Sequence, residues 1–295
     1  MSAVWRFEAI GVPWSVTTPE PLDEVATRAV RERIETYDRS WSRFREDSLV
    51  TRIGRSGGTH VLPPEAGPLL ELYRVLHEAT DGRMSPLVAR SLDQLGYDAA
   101  HSLIPSTPSP APRWEDAIAW DGVALTAPRP VRIDVGAAGK GQLVDLVAGV
   151  LAAHGVTEAT VDASGDLIHL GSDPIRVALE HPGDARLAIG VATIGGAGRE
   201  GARAICASAT NRRRWGDGLH HVLDATTGLP VDEIIATWVA APSAMVADGV
   251  ATALFLTSPD RIPSSLGATW ARMSATGLVE VSEGFPAELF RKADR

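Results

Sequence analysis

The sequence predicts an α+β fold with mixed and antiparallel sheets packed against helices. Three observations carry that expectation. Stretches with helical spacing and stretches with strand-like alternation follow one another without a regular βαβ order. Hydrophobic residues make up 44% of the 295, enough for a sizeable core and too many for a disordered chain. No internal repeat recurs at a fixed period, which sets aside solenoids and propellers. The whole chain, 1–295, reads as a single domain, with any subdivision placed near 100–130.

The elements are predicted in order. Residues 4–16 alternate as an opening strand. Residues 21–41 carry Leu22, Val25, Ala29, Val30 and Ile34 at helical spacing, and 64–80 carry Leu69, Leu70, Leu72, Val75 and Leu76 in the same way. Pro105, Pro108, Pro110 and Pro112 make 102–113 an exposed connection. Residues 120–125 and 131–135 read as two short strands joined by a proline-bearing turn. A helix over 142–153 places Leu143, Leu146, Val147, Val150 and Leu151 on one face. Residues 160–171 read as strand, turn and strand, and 176–180 as a further strand. Residues 197–203 are glycine-rich loop, and 220–223 and 237–241 are strands.

Composition narrows the function classes. Lys and Arg total 28 against 37 for Asp and Glu, a net charge of −9 with no long basic run, so nucleic acid is not an expected partner. The one cysteine, Cys206, excludes an internal disulfide and a Cys-rich metal site, and it suits a reducing cytosol. The amino terminus lacks the basic and apolar regions of a signal peptide. The most membrane-like stretch, 234–257, is interrupted by Pro242 and Ser243 and carries Asp248, so it reads as buried strand, turn and helix rather than as a span. The expectation is a cytoplasmic protein without membrane insertion.

Five segments could carry chemistry. In Arg132-Ile-Asp-Val-Gly-Ala-Ala-Gly-Lys-Gly141, small residues before a helix start could admit a phosphate, with Lys140 as a mobile positive charge. A tight strand-to-helix turn, with Asp145 capping or solvated, explains the same residues. In 246–254, Asp248 and Thr252 stand one helical turn apart among apolar neighbours. Either a hard cation such as Mg²⁺ compensates the carboxylate, or Asp248 caps its helix. In 220–230, His221 could serve as a base or bind substrate and Asp224 could brace it, although Asp224 and Thr227 also suit turn formation. In Val161-Asp-Ala-Ser-Gly-Asp-Leu167, Asp166 could face a ligand or shape the turn. In 38–48, Ser42 and Ser48 read as caps or turn residues amid mostly solvated charges.

Taken in order, these segments resemble the ApbE-type flavin transferase family (FAD:protein FMN transferases). The family pattern runs through a Gly-Thr turn, an acidic, Ser-rich stretch and Gly-x-Phe-Asp-Pro. It continues with Asp-Leu-Gly-Gly-x-Ala-Lys-Gly-x-x-x-Asp, Gly-Gly-Asp, Ser-Gly, His-Ile-x-Asp-Pro-x-Thr-Gly-x-Pro and Ala-Asp-x-x-x-Thr-Ala. Counterparts here are Gly11, Ser42 with Ser48, Gly82 to Pro86, Asp134 to Asp145, Ser164-Gly165-Asp166, Ser208-Ala209, His221 to Pro230 and Ala247 to Ala253. Lys140, Asp145, His221, Asp224, Thr227, Gly228, Asp248 and Thr252 fall on matching positions. Val12, Ser85, Ala137, Gly139, Ser164, Ala209 and Ala225 depart from the pattern. Where the family glycine has positive φ, Ala or Ser strains or moves the turn.

The resemblance implies an ApbE-like (T-fold-like) architecture and transfer of FMN from FAD to a Thr or Ser hydroxyl of an acceptor protein, with AMP released. FAD is then a substrate and Mg²⁺ the cofactor, held by Asp248, Thr252 and the main-chain carbonyl of Gly139. Lys140 steadies the turn or a phosphate, and His221 activates the acceptor hydroxyl or orients the flavin. Ser164, Gly165, Asp166 and Ser208 line the dinucleotide pocket. Two alternatives keep the pocket: a Mg²⁺-dependent FAD pyrophosphatase giving FMN and AMP, and a flavin-binding protein without catalysis.

Overall fold

This computed structural model describes residues 2–196 and 202–290, and its framework is an eight-stranded sheet. The strands lie in the order Ala3–Ala9, Val12–Thr18, Ala159–Asp162, Asp166–Leu170, Ala204–Ala209, Ile234–Ala241, Thr269–Ser274 and Val279–Val281. Each neighbouring pair is antiparallel. Seven α-helices occur among the described residues: α1 (Glu24–Trp41), α2 (Leu49–Ser56), α3 (Ala66–Ala79), α4 (Ala89–Gln94), α5 (Trp114–Ala117), α6 (Gly139–Ala153) and α7 (Ala244–Ala253).

The apolar run over 234–241 is explained by burial on both faces of its strand. Val239 and Ala241 enter the core built with the helices, where Val30, Leu69, Leu143, Val147 and Val250 also lie. Ala236, Trp238 and Ala240 enter a second core on the opposite face, with Leu179 and Ile194. Those last two belong to the strands Ile175–His181 and Asp184–Ile194, paired in a smaller three-stranded sheet with Ala287–Leu289. The central sheet is therefore covered on both sides, and α6 and α7 pack on its helical face.

Local chemistry sets where elements begin. Asp23 Oδ1 accepts from Ala26 N at 2.7 Å, so α1 starts at Glu24 rather than at the predicted residue 21. Ser48 Oγ accepts from Thr51 N at 3.1 Å and starts α2, a helix absent from the sequence reading of that charged run. The single opening strand is corrected to a hairpin. Ile10 and Gly11, both at positive φ, reverse the chain so that Ala9 pairs with Val12. Residues 131–135 form no strand; they cross the core with Asp134 N bonded to Pro86 O at 2.8 Å. The strand expected over 220–223 is two short bridges, Leu219–His220 and Leu223–Asp224, with different partners. Of the loop expected over 197–203, residues 197–201 lie outside the described residues. Among the described residues no helix is long and apolar enough to cross a membrane.

Candidate active site

The site is built where the first turn of α6 meets α7. Gly139 N bonds to Val135 O at 2.7 Å and Gln142 N to Ala138 O at 3.0 Å, so the helix starts three residues before the predicted 142. Lys140 is thus a residue of the first helical turn, not of a preceding loop. Two tyrosines hold this turn: Ala137 N donates to Tyr73 Oη at 3.2 Å, and Tyr37 Oη donates to Gln142 Oε1 at 2.9 Å. A Cβ at Gly141 would stand 2.2 Å from the carbonyl oxygen of Ala244 and 2.7 Å from Asp248 Cβ. Only glycine lets the two helices meet this closely.

The start of α7 already has its caps. Ser243 Oγ accepts from Val246 N at 3.2 Å, and the two oxygens of Asp145 accept from Ala244 N and Met245 N at 2.8 and 2.9 Å. Asp145 and Ser243 therefore cap α7 together, and Asp248, one turn further along, is not needed for it. Burial pushes the Asp145 carboxyl up to about 6, against the pull of those two N–H groups. Its unfolded pKa is about 3.9. The folded chain thus binds more protons than the unfolded chain between these values, and stability falls as pH rises through that window. Measured against Asp145→Asn by urea unfolding, the wild type is expected to lose relative stability from about pH 4 to about pH 6 and to stay level above it. A flat difference across that range would contradict the assignment.

Asp248 points at the α6 turn instead. Its Oδ2 accepts from Gly141 N at 2.9 Å, and the residue is only 4% exposed. Lys140 Nζ lies 2.8 Å from Asp166 Oδ2 and donates to Ala163 O at 3.1 Å, with Asp166 just 1% exposed. This corrects the expected mobile lysine: its ammonium is pinned between the Ala163–Asp166 turn and the α6 start. Burial raises the Asp248 carboxyl well above its ordinary range, the nearby Asp166 raises it further, and Lys140 opposes both. Lys140 pairs with Asp166 alone, so ionising the Asp248 carboxyl as well leaves the group one cation short of neutral.

The donors around that deficit are hard oxygens. Thr252, one turn after Asp248 on α7, places its hydroxyl 3.4 Å from Ala137 O. Gly139, the first residue of α6, follows two positions later. The nearby Cys206 does not add a soft ligand, because burial pushes its thiol far up and its Sγ faces Ala244 O at 3.4 Å. Among the described residues no group of three His, Cys, Asp or Glu forms a metal cage. Carboxylate, hydroxyl and carbonyl oxygens suit Mg²⁺ better than zinc.

The histidine segment divides by role. His220 is buried and its Nε2 bonds to Val231 O at 2.7 Å, a structural contact. His221 is half-buried, and its buried Nδ1 has no hydrogen-bond partner among the described residues. Burial, followed by the charge of Arg213, lowers its pKa to about 3, so the ring is neutral at physiological pH. Asp224 does not brace it. Its oxygens accept from Thr226 N (2.9 Å), Thr226 Oγ1 (2.6 Å) and Arg83 Nε (2.7 Å), which outweigh burial and hold the carboxyl below its usual range. Thr227 Oγ1 donates to Asp224 O at 3.3 Å, completing the turn.

Of the expected pocket residues, Ser164 sits at φ 57°, the strained conformation anticipated for a non-glycine there, and its hydroxyl donates to Pro13 O at 2.9 Å. Gly165 N donates to Asp162 Oδ1 at 2.9 Å. Ser208 lies on the strand Ala204–Ala209 opposite Thr237.

The sequence pattern of the ApbE family matches residues 10–275. This chain belongs to the ApbE family. It is 26% identical over 289 residues to a FAD:protein FMN transferase of Klebsiella pneumoniae (strain 342), covering 88% of this chain and 77% of that protein. A protein of the same name from Treponema pallidum (strain Nichols) is 26% identical over 281 residues, covering 82% and 74%. The fold is similar to that of the ApbE protein of Thermotoga maritima, with a TM-score of 0.80 at 22% identity over 98% of this chain and 100% of that one. It is equally similar to the flavin transferase ApbE of Vibrio cholerae, with a TM-score of 0.80 at 19% identity over 97% and 98%.

In this ApbE-family chain, Lys140, Asp166, Asp248, Thr252 and Gly139 come together, while Asp145 and Asp224 act on helix and turn. Two arginines were missed. Arg43 lies in a run read as mostly solvated, yet it is 6% exposed. Its Nε lies 2.5 Å from Asp134 Oδ2, its Nη1 2.8 Å from Asp93 Oδ1, and its Nη2 donates to Tyr97 O at 2.7 Å. It anchors the segment leading into α6 through partners far away in the chain, so no local spacing could have marked it. Arg213, half-buried with its Cζ 6.0 Å from the Tyr97 ring centroid, is the second.

Proposed function

We propose that this chain is a FAD:protein FMN transferase, moving FMN from FAD to a Thr or Ser hydroxyl of an acceptor protein with release of AMP. The observation that carries the reading is the buried group of Asp248, Asp166 and Lys140 at the junction of α6 and α7, one positive charge short once both acids are ionised. Family membership and the names of the relatives support it. Asp248, Thr252 and the carbonyl of Gly139 would hold Mg²⁺, which when bound neutralises charge on a diphosphate. Lys140 keeps the Ala163–Asp166 turn against α6, and Ser164, Gly165, Asp166, Ser208 and His221 line the dinucleotide site.

In the transfer, the acceptor oxygen bonds to the phosphorus of the FMN half, the bond to the AMP phosphate breaks, and the hydroxyl proton must leave. His221 accepts it in this reading. The ring is neutral before substrate binds, and the arrival of an anionic diphosphate beside it raises its affinity for a proton. His221→Ala is expected to slow transfer by about 10² to 10⁴ while FAD affinity changes little. Equal losses in both would make His221 a binding residue.

The deciding experiment incubates the protein with FAD, Mg²⁺ and candidate acceptors and seeks covalent FMN on the acceptor by mass spectrometry, with AMP in equal amount. FMN and AMP released without acceptor modification would replace the transferase by a pyrophosphatase. FAD bound without any AMP would leave a flavin-binding protein.

A further inference from the structure

The short ladder between Arg214–Trp215 and Leu219–His220 pairs Arg214 with His220 and Trp215 with Leu219. Arg213 and His221 are the residues that flank the Arg214–His220 pair, one on each side of the ladder. Tyr97 supports the guanidinium, with Arg213 Cζ 6.0 Å from its ring centroid. Trp215 stacks on the same tyrosine at 5.5 Å and fixes the ladder by donating Nε1–H to Leu95 O at 2.7 Å.

Arg43, Arg83 and Arg132 each pair with a carboxylate at 2.8 Å or less. Among the described residues no carboxylate pairs with Arg213. The neighbouring Arg214 also has no carboxylate partner among the described residues but is exposed, whereas Arg213 is half-buried. The charge of Arg213 reaches both His221 and Asp248. A guanidinium partly withdrawn from water without a counter-charge is unfavourable unless an anion joins it.

We propose that Arg213 is an anion-binding residue of this same site and takes diphosphate oxygens of the flavin dinucleotide beside His221. The inference rests on the transferase reading and adds a residue to it. Charge balance supports the choice. With both acids ionised, the Asp248, Asp166 and Lys140 group carries one net negative charge, and a divalent ion reverses it to one positive. A diphosphate brings two negative charges, and Arg213 supplies the remaining positive one. The planar fork of the guanidinium also suits paired phosphate oxygens.

The test compares Arg213→Gln and Arg213→Lys with the wild type. FAD binding is followed by flavin fluorescence in EDTA, where no transfer proceeds, and the KM for FAD is measured in the complete transfer assay. The Gln variant is expected to weaken FAD by at least about tenfold in both measurements, the scale of one lost charge-assisted hydrogen bond. The Lys variant is expected to recover part of that loss, and the ligand-free melting temperature to stay the same or rise in the Gln variant. FAD affinity and KM unchanged in the Gln variant, with transfer intact, would overturn the role of Arg213 alone. Equal weakening in both variants, with lowered melting temperatures, would reduce Arg213 to packing on Tyr97. A wild type that neither binds FAD nor transfers FMN would overturn the transferase reading and this inference together.

Discussion

Asp248→Asn is expected to abolish Mg²⁺-dependent attachment of FMN to an acceptor while leaving the fold as stable as before or more so. The two effects separate because the Asn side chain keeps the shape and can still accept the Gly141 N–H bond now made at 2.9 Å. What it removes is a carboxylate that burial and the neighbouring Asp166 make costly to ionise. Loss of a ligand that holds a catalytic divalent ion forfeits several kcal/mol of charge stabilisation, so attachment should fall by about 10³ or more. Acceptor mass spectrometry reads the first effect and the urea midpoint the second. Attachment above a tenth of the wild-type rate would remove Asp248 from the metal site. A large drop in the urea midpoint would mean that the carboxylate serves the fold instead. Sites under functional demand commonly sacrifice stability in this way, and the sign of the stability change is the sharper observation.

Gly141→Ala is expected to be the most damaging single methyl added to the chain. The added carbon would stand 2.2 Å from a main-chain oxygen of Ala244, and backbone cannot rotate aside as a side-chain tip can. Either α7 moves off α6, taking Asp248 and the Asp145 cap with it, or the clash remains. Overpacking of a tight interior costs about 1–3 kcal/mol and more where backbone must shift, so a loss of at least about 3 kcal/mol is expected. The control lies on the same helix: a Cβ at Gly149 meets nothing within 4 Å, and Gly149→Ala should stabilise by about 0.5–1 kcal/mol through helix propensity. Urea unfolding of the two variants checks both signs. A Gly141→Ala protein as stable as the wild type would mean that the two helices are not in backbone contact.

Much of the architecture was legible because its signals are local. The periodicity of Leu69, Leu70, Leu72 and Leu76 marks α3, and the breaks at Pro242 and Ser243 divide a buried strand from α7. Ile10 was unreadable as a turn residue, since an apolar β-branched side chain at positive φ contradicts its own preference and continues the alternation on either side. The strands Thr269–Ser274 and Val279–Val281, the last two of the sheet, were missed. Within the site, Asp248 with Thr252 and the glycines around Lys140 stood out because spacing on one helix is a sequence property. Arg43 and Arg213 did not, because an arginine in a charged or basic run carries no mark of burial.

By itself the sequence determined the α+β class, most helix positions and the family, all of which follow from short-range pattern and from motif order. Only the tertiary structure decided which acid caps and which acid faces the lysine. The Gly141–Asp248 bond joins residues 107 apart and one cap of α7 comes from Asp145, 99 residues before Ala244. Chain spacing cannot decide such matters, because the energy of a buried charge depends on what three-dimensional packing sets beside it and on how completely water is excluded.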